Sequence, residues 1–407
     1  MAEPVLHVGL YSGLVVKHDA ISTSVRLKLE VLEALAAAGH PIRTTVFTQG
    51  SNVQHPAIRR VDGVHGLFRE PDFATVDVHI FEFGIRYDLF NATFLIPPDE
   101  PLLAVYHNIT PPELAGSPDA RRTQERSLIQ KHNLGRADHI VCDSEFSRDD
   151  LLRFGIAPTR LSVHHLPPMI PTLPRDEQRK GSVELLFVGR FVAAKGVGDL
   201  VQAVARLADR GVDGFRLTMV GNRQFSSSAC LQQIEELMSA PEIAERVRII
   251  LSPPDDEVAA LYARSDALVI PSYHEGYCVP VVEAFASGCY VIAYDSTNLP
   301  YVTGGLGTLV PTGDVQALAR AIEDYVRRVS DARELGREVI LAPAAGELTE
   351  AEWRAAVSRR DAQYSREAFD RELVRLVGWA GERRRRQDHM PYPRADAPAL
   401  SEISKAS

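Results

Sequence analysis

Short apolar runs that end in small or polar residues recur along the chain, separated by segments whose apolar positions repeat every three to four residues. The first run, VLHVGLYSG, predicts a short buried strand ending in a turn. In ISTSVRLKLEVLEALAAAGH, Val25, Leu29, Leu32 and Leu35 share one helical face, and Gly39 stands just past the end. That pattern predicts an amphipathic helix with a glycine stop. PIRTTVFTQ predicts the next strand, so the chain opens as a βαβ unit. VDVHIFEFG, LLAVYHNIT and HIVCDSEFS are further strand-like runs, with SPDARRTQERSLIQKHNLGRA as a helical segment among them. LSVHHLPP closes this half.

MIPTLPRDEQRKGSVE breaks the pattern: it is rich in proline and charge, has no periodic apolar face, and reads as an interdomain linker. A second series begins at ELLFVGR. It alternates strands (FRLTMVGN, RVRIILSP, DALVIPS, YVIAYD) with helices (GVGDLVQAVARLADRG, CLQQIEELMSA, DDEVAALYARS, PVVEAFASG, VQALARAIEDYVRRV). Strands that lead through loops into helices predict an α/β fold with a parallel, doubly wound sheet in each half. The pattern is helical again from about Leu348 to Trp379. The stretch GERRRRQDHMPYPRADAPALSEISKAS has little apolar content, and 381–407 is expected to be a flexible tail. The domains are expected at 1–170 and 183–350.

Composition narrows the class. The 407 residues are 45% hydrophobic and 24% charged, the balance of a globular chain too long for one core. A net charge of −9 argues against a general nucleic-acid surface. The four cysteines form no C-x-x-C pair, so structural zinc and a disulfide framework are not expected. MAEPVLHVGLYSG lacks a basic start and a long apolar run, and no stretch is long enough to span a membrane. A cytoplasmic protein is expected, with peripheral attachment at the inner membrane face left open. The run ERRRR, Glu382 to Arg386, suits either anionic lipid or a solvated chain end, the blander reading.

Candidate chemistry falls at strand ends, where parallel α/β sheets bind ligands. After LLFVG, Gly189 is followed by Arg190, and Lys195 stands in the loop before a helix. Two cations beside a helix N-terminus suit a diphosphate; exposed loop cations are the alternative. In PSYHEGYCVPVVEAFASG, Glu275 and Glu283 flank a helix start. Gly276 allows close backbone approach, and Pro280 suits the first helical turn. The N–H groups of Tyr277, Cys278 and Val279 would face a diphosphate lying between the two carboxylates, with Glu283 toward ribose hydroxyls and Glu275 toward a sugar. The alternative is that Glu283 only complements the helix dipole. In YHNITPPE, His107 and Asn108 end a strand and suit either a ligand cleft or a locally bonded histidine. In YSGLVVKHDAIS, Gly13, Asp19 and Ser22 lie between the first strand and helix, where a phosphate or polar substrate fits. Asp19 equally suits a helix cap. No G-x-G-x-x-G is present, so a dinucleotide fingerprint is absent.

Taken together, FVGRFVAAKGVGDLVQAV, LTMVGN, DEVAALYARSDALVIPSYHEGYCVPVVEAFASGCYVIA and GTLVPTGDVQALARAI resemble the retaining, nucleotide-sugar-dependent glycosyltransferases of family four, with the GT-B fold. HDAISTSV, YHNITPPE and ADHIVCDSEFSRDDL extend the resemblance into the first half. It implies two Rossmann-like domains facing across a cleft, with the acceptor on the first domain and a C-terminal helix, about 362–380, returning to it. It also implies that Arg190 and Lys195 hold the donor diphosphate, that Glu275 contacts the donor sugar and Glu283 the ribose, and that His107 touches the sugar. Gly189, Asn222, Gly276, Tyr277, Cys278 and Val279 would complete the donor site, and Gly13, Asp19, Ser22 and Asn108 the acceptor side. The expected partners are a nucleotide-sugar donor, UDP in preference to GDP, and a saccharide, lipid-linked or small-molecule acceptor. Neither metal nor cofactor is expected.

Three departures from the family pattern stand out. SGLVVKHD has one glycine where two adjacent ones are usual, Cys278 stands where a glycine is usual, and ILSPPDDE lacks the glycine common after its strand. Two other readings remain at this stage: a GT-B nucleotide-sugar epimerase or hydrolase, and a non-catalytic nucleotide-sugar-binding subunit.

Overall fold

The structure, a computed structural model, describes residues 4–17, 19–175 and 181–386, without the side chains of residues 385 and 386. The chain divides into two units. One holds residues up to Ile109, Arg122–Leu166 and the chain from Arg366; the other holds Thr110–Arg121 and Pro167–Ser365.

The first unit is built on seven parallel strands: β1 (Leu6–Val15), β2 (Ile42–Ser51), β3 (Ile58–Arg60), β4 (Val78–Phe83), β5 (Leu102–Tyr106), β6 (His139–Cys142) and β7 (Leu161–Val163). Their order across the sheet is β3-β2-β1-β4-β5-β6-β7. The chain winds outward from β1 in one direction and from β4 in the other, so the order reverses between them. Helices α1 (Ala20–Ala37), α2 (Gly63–Leu67), α3 (Pro118–Gln130) and α4 (Glu145–Arg153) connect the strands. The strands are apolar along nearly their whole length because both faces are covered: all residues of β4, β5 and β6 are buried. The core centres on rings, with Tyr11 stacked on Phe81 at 4.1 Å between centroids and Phe83 on Phe90 at 4.2 Å.

The second unit repeats the plan with six parallel strands: β8 (Val183–Val188), β9 (Phe215–Gly221), β10 (Val247–Leu251), β11 (Ala267–Ile270), β12 (Tyr290–Tyr294) and β13 (Thr308–Val310). Their order is β10-β9-β8-β11-β12-β13, with the reversal between β8 and β11. Its helices are α5 (Val197–Asp209), α6 (Ser228–Leu237), α7 (Pro241–Ala244), α8 (Asp255–Arg264), α9 (Val279–Ala286), α10 (Leu299–Thr303), α11 (Val315–Leu335) and α12 (Glu350–Asp361). The last helix, α13 (Arg366–Arg386), packs against β4 and α1 of the first unit. These are two parallel-sheet, Rossmann-like units of an α/β fold.

Several local expectations need correction. β1 does not end near Gly13 but runs on to Val15. The helix face in α1 is wider than the four residues read from the pattern, since Leu27 and Val31 are buried too, while Leu35 is only half-buried. The stretch expected to be helical from Leu348 to Trp379 is a short strand, a helix, a 3-10 turn (Ala362–Tyr364) and a second helix. Leu348–Thr349 is a strand, β15, paired antiparallel with β14 (Ile340–Leu341). α12 then starts at a capping box of Thr349 and Glu352, and Ser365 interrupts the helix before α13. Of the expected tail, 381–386 continue α13, while 387–407 lie outside the described residues. Among the described residues, no helix is long and apolar enough to cross a membrane. In ERRRR, Arg383 pairs with Asp138 at 2.6 Å and Arg384 with Asp99 at 2.8 Å, so these two guanidiniums are engaged within the first unit.

Candidate active site

The reversal between β8 and β11 opens a crevice at the carboxyl ends of those strands, the place where a doubly wound sheet binds ligands. Gly189 and Arg190 follow β8 directly, and the stretch from Pro271 to Cys278 follows β11. The two loops are joined by Lys195 and Glu275, with Lys195 Nζ 2.6 Å from Glu275 Oε1. Glycine makes this approach possible. Gly196 has φ +62°, and a Cβ there would stand 1.9 Å from the Pro271 carbonyl oxygen, so only a residue without a side chain fits between Lys195 and the end of β11. The Tyr273 amide donates to the Ala194 carbonyl at 2.8 Å and fastens the same seam.

Glu275 is buried. Burial pushes its carboxyl up, but the Lys195 ammonium outweighs this and holds it below the ordinary carboxylate value. Its backbone N–H donates to Thr297 Oγ1 at 2.8 Å, and Thr297 lies in the left-handed region at φ +45°, unusual for a β-branched residue. Asn298 Nδ2 donates to the Tyr277 carbonyl at 2.6 Å. The loop after β12 therefore shapes the glutamate loop from behind, and neither Thr297 nor Asn298 was singled out from the sequence. Polar residues just past a strand end were the available signal.

α9 begins at Val279 with Pro280 in its first turn, and no side chain caps its N-terminus. Cys278 occupies the N-cap position at φ +75°, ψ +67°. That left-handed backbone explains why glycine is usual there: a side chain at this position costs about 1–2 kcal/mol. The same holds in ILSPPDDE, where Ser252 after β10 has φ +56°. In two of the three segments that lack a usual glycine, a residue thus takes a left-handed position. Ser252 is anchored by its amide to the Gly221 carbonyl at 2.7 Å, and its Oγ accepts the Arg223 amide at 3.0 Å.

Glu283, one turn into α9, is buried. Burial lifts its carboxyl to about 7, although Tyr262 and the Met169 amide, 3.4 Å from Oε1, pull it down. The other donor-side candidates divide. Glu275, Tyr277, Cys278, Val279 and Glu283 share the loop after β11 and the start of α9, with Gly276 half-buried among them, and Lys195 reaches Glu275 from the loop after β8. Arg190 is exposed and makes no ion pair with any described residue. Asn222 spends its Oδ1 on the amides of Gln224 and Phe225, at 2.9 and 3.3 Å, in a turn after β9.

In the first unit, His107 follows β5, with its side chain buried and its ring between two carboxylates. Nε2 lies 2.6 Å from Glu82 Oε2 and Nδ1 3.3 Å from Asp143 Oδ2. Asp19 caps α1 by accepting the Ser22 amide at 2.8 Å and the Ser22 hydroxyl at 2.7 Å. Ser22 is fully buried, so both side chains are engaged in holding the helix start. A Cβ on Gly13 would meet Tyr87 Cβ at 2.8 Å, so this glycine makes room for a ring whose hydroxyl donates to the Glu82 carbonyl at 2.7 Å. Asn108 adopts φ +65° and accepts the Ile109 amide on its own Oδ1. Sequence reasoning passed over Lys28, Glu82 and Asp143. A charge inside the apolar run VDVHIFEFG, and a lysine on the buried face of α1 between Val25 and Leu32, were the signals. Among the described residues, no group of three or more His, Cys, Asp or Glu is arranged to hold a metal ion.

Two doubly wound parallel sheets, each with its strand order reversed at a switch point, are the architecture of the GT-B class. The family model described as "Glycosyltransferase Family 4" matches residues 25–167, and "Glycosyl transferases group 1" matches residues 171–339. The chain belongs to glycosyltransferase family four. It is 26% identical over 262 residues to the D-inositol 3-phosphate glycosyltransferase of Corynebacterium diphtheriae, covering 60% of each chain. Over 216 residues it is 30% identical to the MMP alpha-(1->4)-mannosyltransferase of Mycolicibacterium hassiacum, covering 51% of this chain and 50% of the relative. The matches thus span only about 50–60% of these relatives' length. Among solved structures, a sucrose-phosphate synthase from Thermosynechococcus elongatus superposes with a TM-score of 0.68 at 21% identity, over 93% of this chain and 99% of that one. The Anabaena protein HepE, solved with UDP-glucose, gives a TM-score of 0.66 at 13% identity over 92% and 100%.

Proposed function

We propose that the protein is a retaining glycosyltransferase that moves a sugar from a nucleoside diphosphate sugar, UDP in preference to GDP, to a hydroxyl of a saccharide, lipid-linked saccharide or small molecule. The observation that carries this reading is the convergence, at the switch point of the second sheet, of the Lys195–Glu275 pair, an uncapped helix start and buried Glu283. The UDP preference draws support from the UDP-glucose bound by HepE. The acceptor classes draw support from relatives named for an inositol phosphate and for an O-antigen chain.

In this reading the diphosphate lies over the start of α9, where free N–H groups and the helix dipole favour negative charge. Lys195 keeps two of its three N–H donors beyond Glu275 for phosphate oxygens, and exposed Arg190 closes on the same group. Glu275 contacts the sugar and Glu283 the ribose. The bond between the anomeric carbon and the diphosphate oxygen breaks as the acceptor oxygen bonds to that carbon on the same face. The departing phosphate oxygen takes the acceptor's proton. Negative charge grows on the diphosphate during this step, and Lys195, Arg190 and the helix start stabilise it where it grows, without a metal.

A thermal-shift screen against UDP- and GDP-sugars, followed by NMR of the product anomer with an acceptor, tests the proposal. A stabilising donor and a product of retained configuration are expected. No donor hit, an inverted product, or an epimer or free sugar as the sole product would refute it.

A further inference from the structure

Among the candidate site residues, His107 has its ring enclosed by charge on both sides. Its two nitrogens face Glu82 Oε2 at 2.6 Å and Asp143 Oδ2 at 3.3 Å, from the ends of β4 and β6 on either side of β5. The side chains are nearly inaccessible: 5% exposed for His107, 0% for Glu82 and 4% for Asp143. Each neutral tautomer carries one bare lone pair, which here would point at a carboxylate oxygen. Only the doubly protonated ring carries a hydrogen toward both, in a hydrogen bond to Glu82 from Nε2 and an ion-pair contact with Asp143 at Nδ1. Lys28 completes the group from α1, with Nζ 2.9 Å from Glu82 Oε1. That contact is an ion pair without hydrogen-bond alignment at Oε1, and the same ammonium donates a hydrogen bond to Ser24 Oγ.

Two cations and two anions therefore balance in a nearly inaccessible site, and removing one proton would leave a net buried negative charge. The backbone is closed around the ring as well: a Cβ on Gly84 would come within 3.0 Å of His107 Cβ. A cavity of about 20 Å³, room for about one water, adjoins the group; it is lined by Ser24, Lys28, His107, Asp143 and His164, and by Phe369, Leu373 and Leu376 of α13. No charged side chain of α13 lines it, and burial, first among its causes, takes the His164 imidazole down to about 3, so that ring stays neutral.

Resting on the reading of the protein as a glycosyltransferase, we propose that Glu82, Asp143 and Lys28 are positioning residues that lock His107 as a permanent imidazolium, so that His107 serves transfer as an oriented, fixed charge and never as a general base. A base must hold a bare nitrogen toward the proton that it takes. His107 has none to offer without breaking an ion pair. Burial alone would lower its imidazole, but Asp143 and Glu82 outweigh this and hold it at about 9.

Nitrogen-15 NMR of the full chain, with histidine labelled and His107 assigned by a His107→Asn control, decides the protonation without any activity measurement. Both ring nitrogens should carry protons from pH 6 to pH 8. A ring that titrates with a midpoint below pH 7.5 overturns the proposal. Glu82→Gln and Asp143→Asn should each lower kcat more than about tenfold, as expected for the loss of a group that orients an imidazole, with donor KM within about threefold, and should shift the His107 midpoint down. Unchanged kcat in both variants refutes the positioning role. If Glu82→Gln does not fold, Asp143→Asn, which replaces the carboxylate farther from the ring, and the wild-type spectrum still decide. Should no donor be turned over, the transfer reading fails while the spectrum still reports whether His107 is locked.

Discussion

Lys195 Nζ and Glu275 Oε1 meet at 2.6 Å across 80 positions of sequence, tying the loop after β8 to the loop after β11. The pair sits where the strand order reverses, with little water around it: the side chains are 18% and 9% exposed. A lysine held there is oriented before any anion arrives, which is what makes a charge effective in stabilising a leaving group.

Replacing Lys195 with alanine is therefore expected to lower turnover by more than about 100-fold. Steady-state kinetics with the donor found by screening measure it. Turnover within threefold of wild type would remove Lys195 from the leaving-group role.

Glu283 gives a pH signature. Its carboxyl is raised from 4.5 to about 7, chiefly by burial, so the folded state binds the proton more tightly than the unfolded chain. That contribution to stability is fully present below pH 4.5 and is lost as pH rises through 7, amounting to roughly 3 kcal/mol. Ligand-free Glu283→Gln should consequently melt higher than wild type at pH 8, with the gap narrowing as pH falls through 7 and closing only below about pH 4.5. An ionised carboxylate is the better acceptor for ribose hydroxyls, so wild-type donor affinity should weaken from pH 8 to pH 6. The glutamine variant should show a raised donor KM that is flat over this range. A variant that changes kcat alone would contradict the ribose contact.

Gly196→Ala places a methyl group against the Pro271 carbonyl, 1.9 Å away, at a left-handed φ. The loop must move, at a cost of about 3 kcal/mol or more, and Lys195 moves with it. Calorimetry should show a lower Tm, and titration should show weakened donor binding. A variant with wild-type melting and affinity would mean that the seam is not rigid.

Two of the departures from glycine predict the opposite sign. Cys278 and Ser252 hold side chains at φ +75° and +56°. Cys278→Gly relieves about 1–2 kcal/mol of strain and gives back about 0.5–1 kcal/mol in chain entropy. A Tm increase of about 1–3 °C with turnover unchanged is expected. A fall in Tm would show that the thiol's packing outweighs the strain.

Much of this protein was legible in its sequence because the relevant signals are local. Apolar runs against three-to-four-residue periodicity mark strands and helices, and β4, β5 and β6 stand where VDVHIFEFG, LLAVYHNIT and HIVCDSEFS place them. The glutamate pair at α9 is local too, since one helix start sets both positions. Elements of two residues are below what any periodicity can mark, so β15 was read as the start of a helix and β14 was not read at all. Tertiary structure alone decided the rest. Sheet order, not spacing, brings Lys195 to Glu275 and encloses His107 between Glu82 and Asp143, because neighbouring strand ends in a parallel sheet come from distant chain segments. Burial then sets which of these carboxyls ionise, and loop closure sets where the backbone turns left-handed.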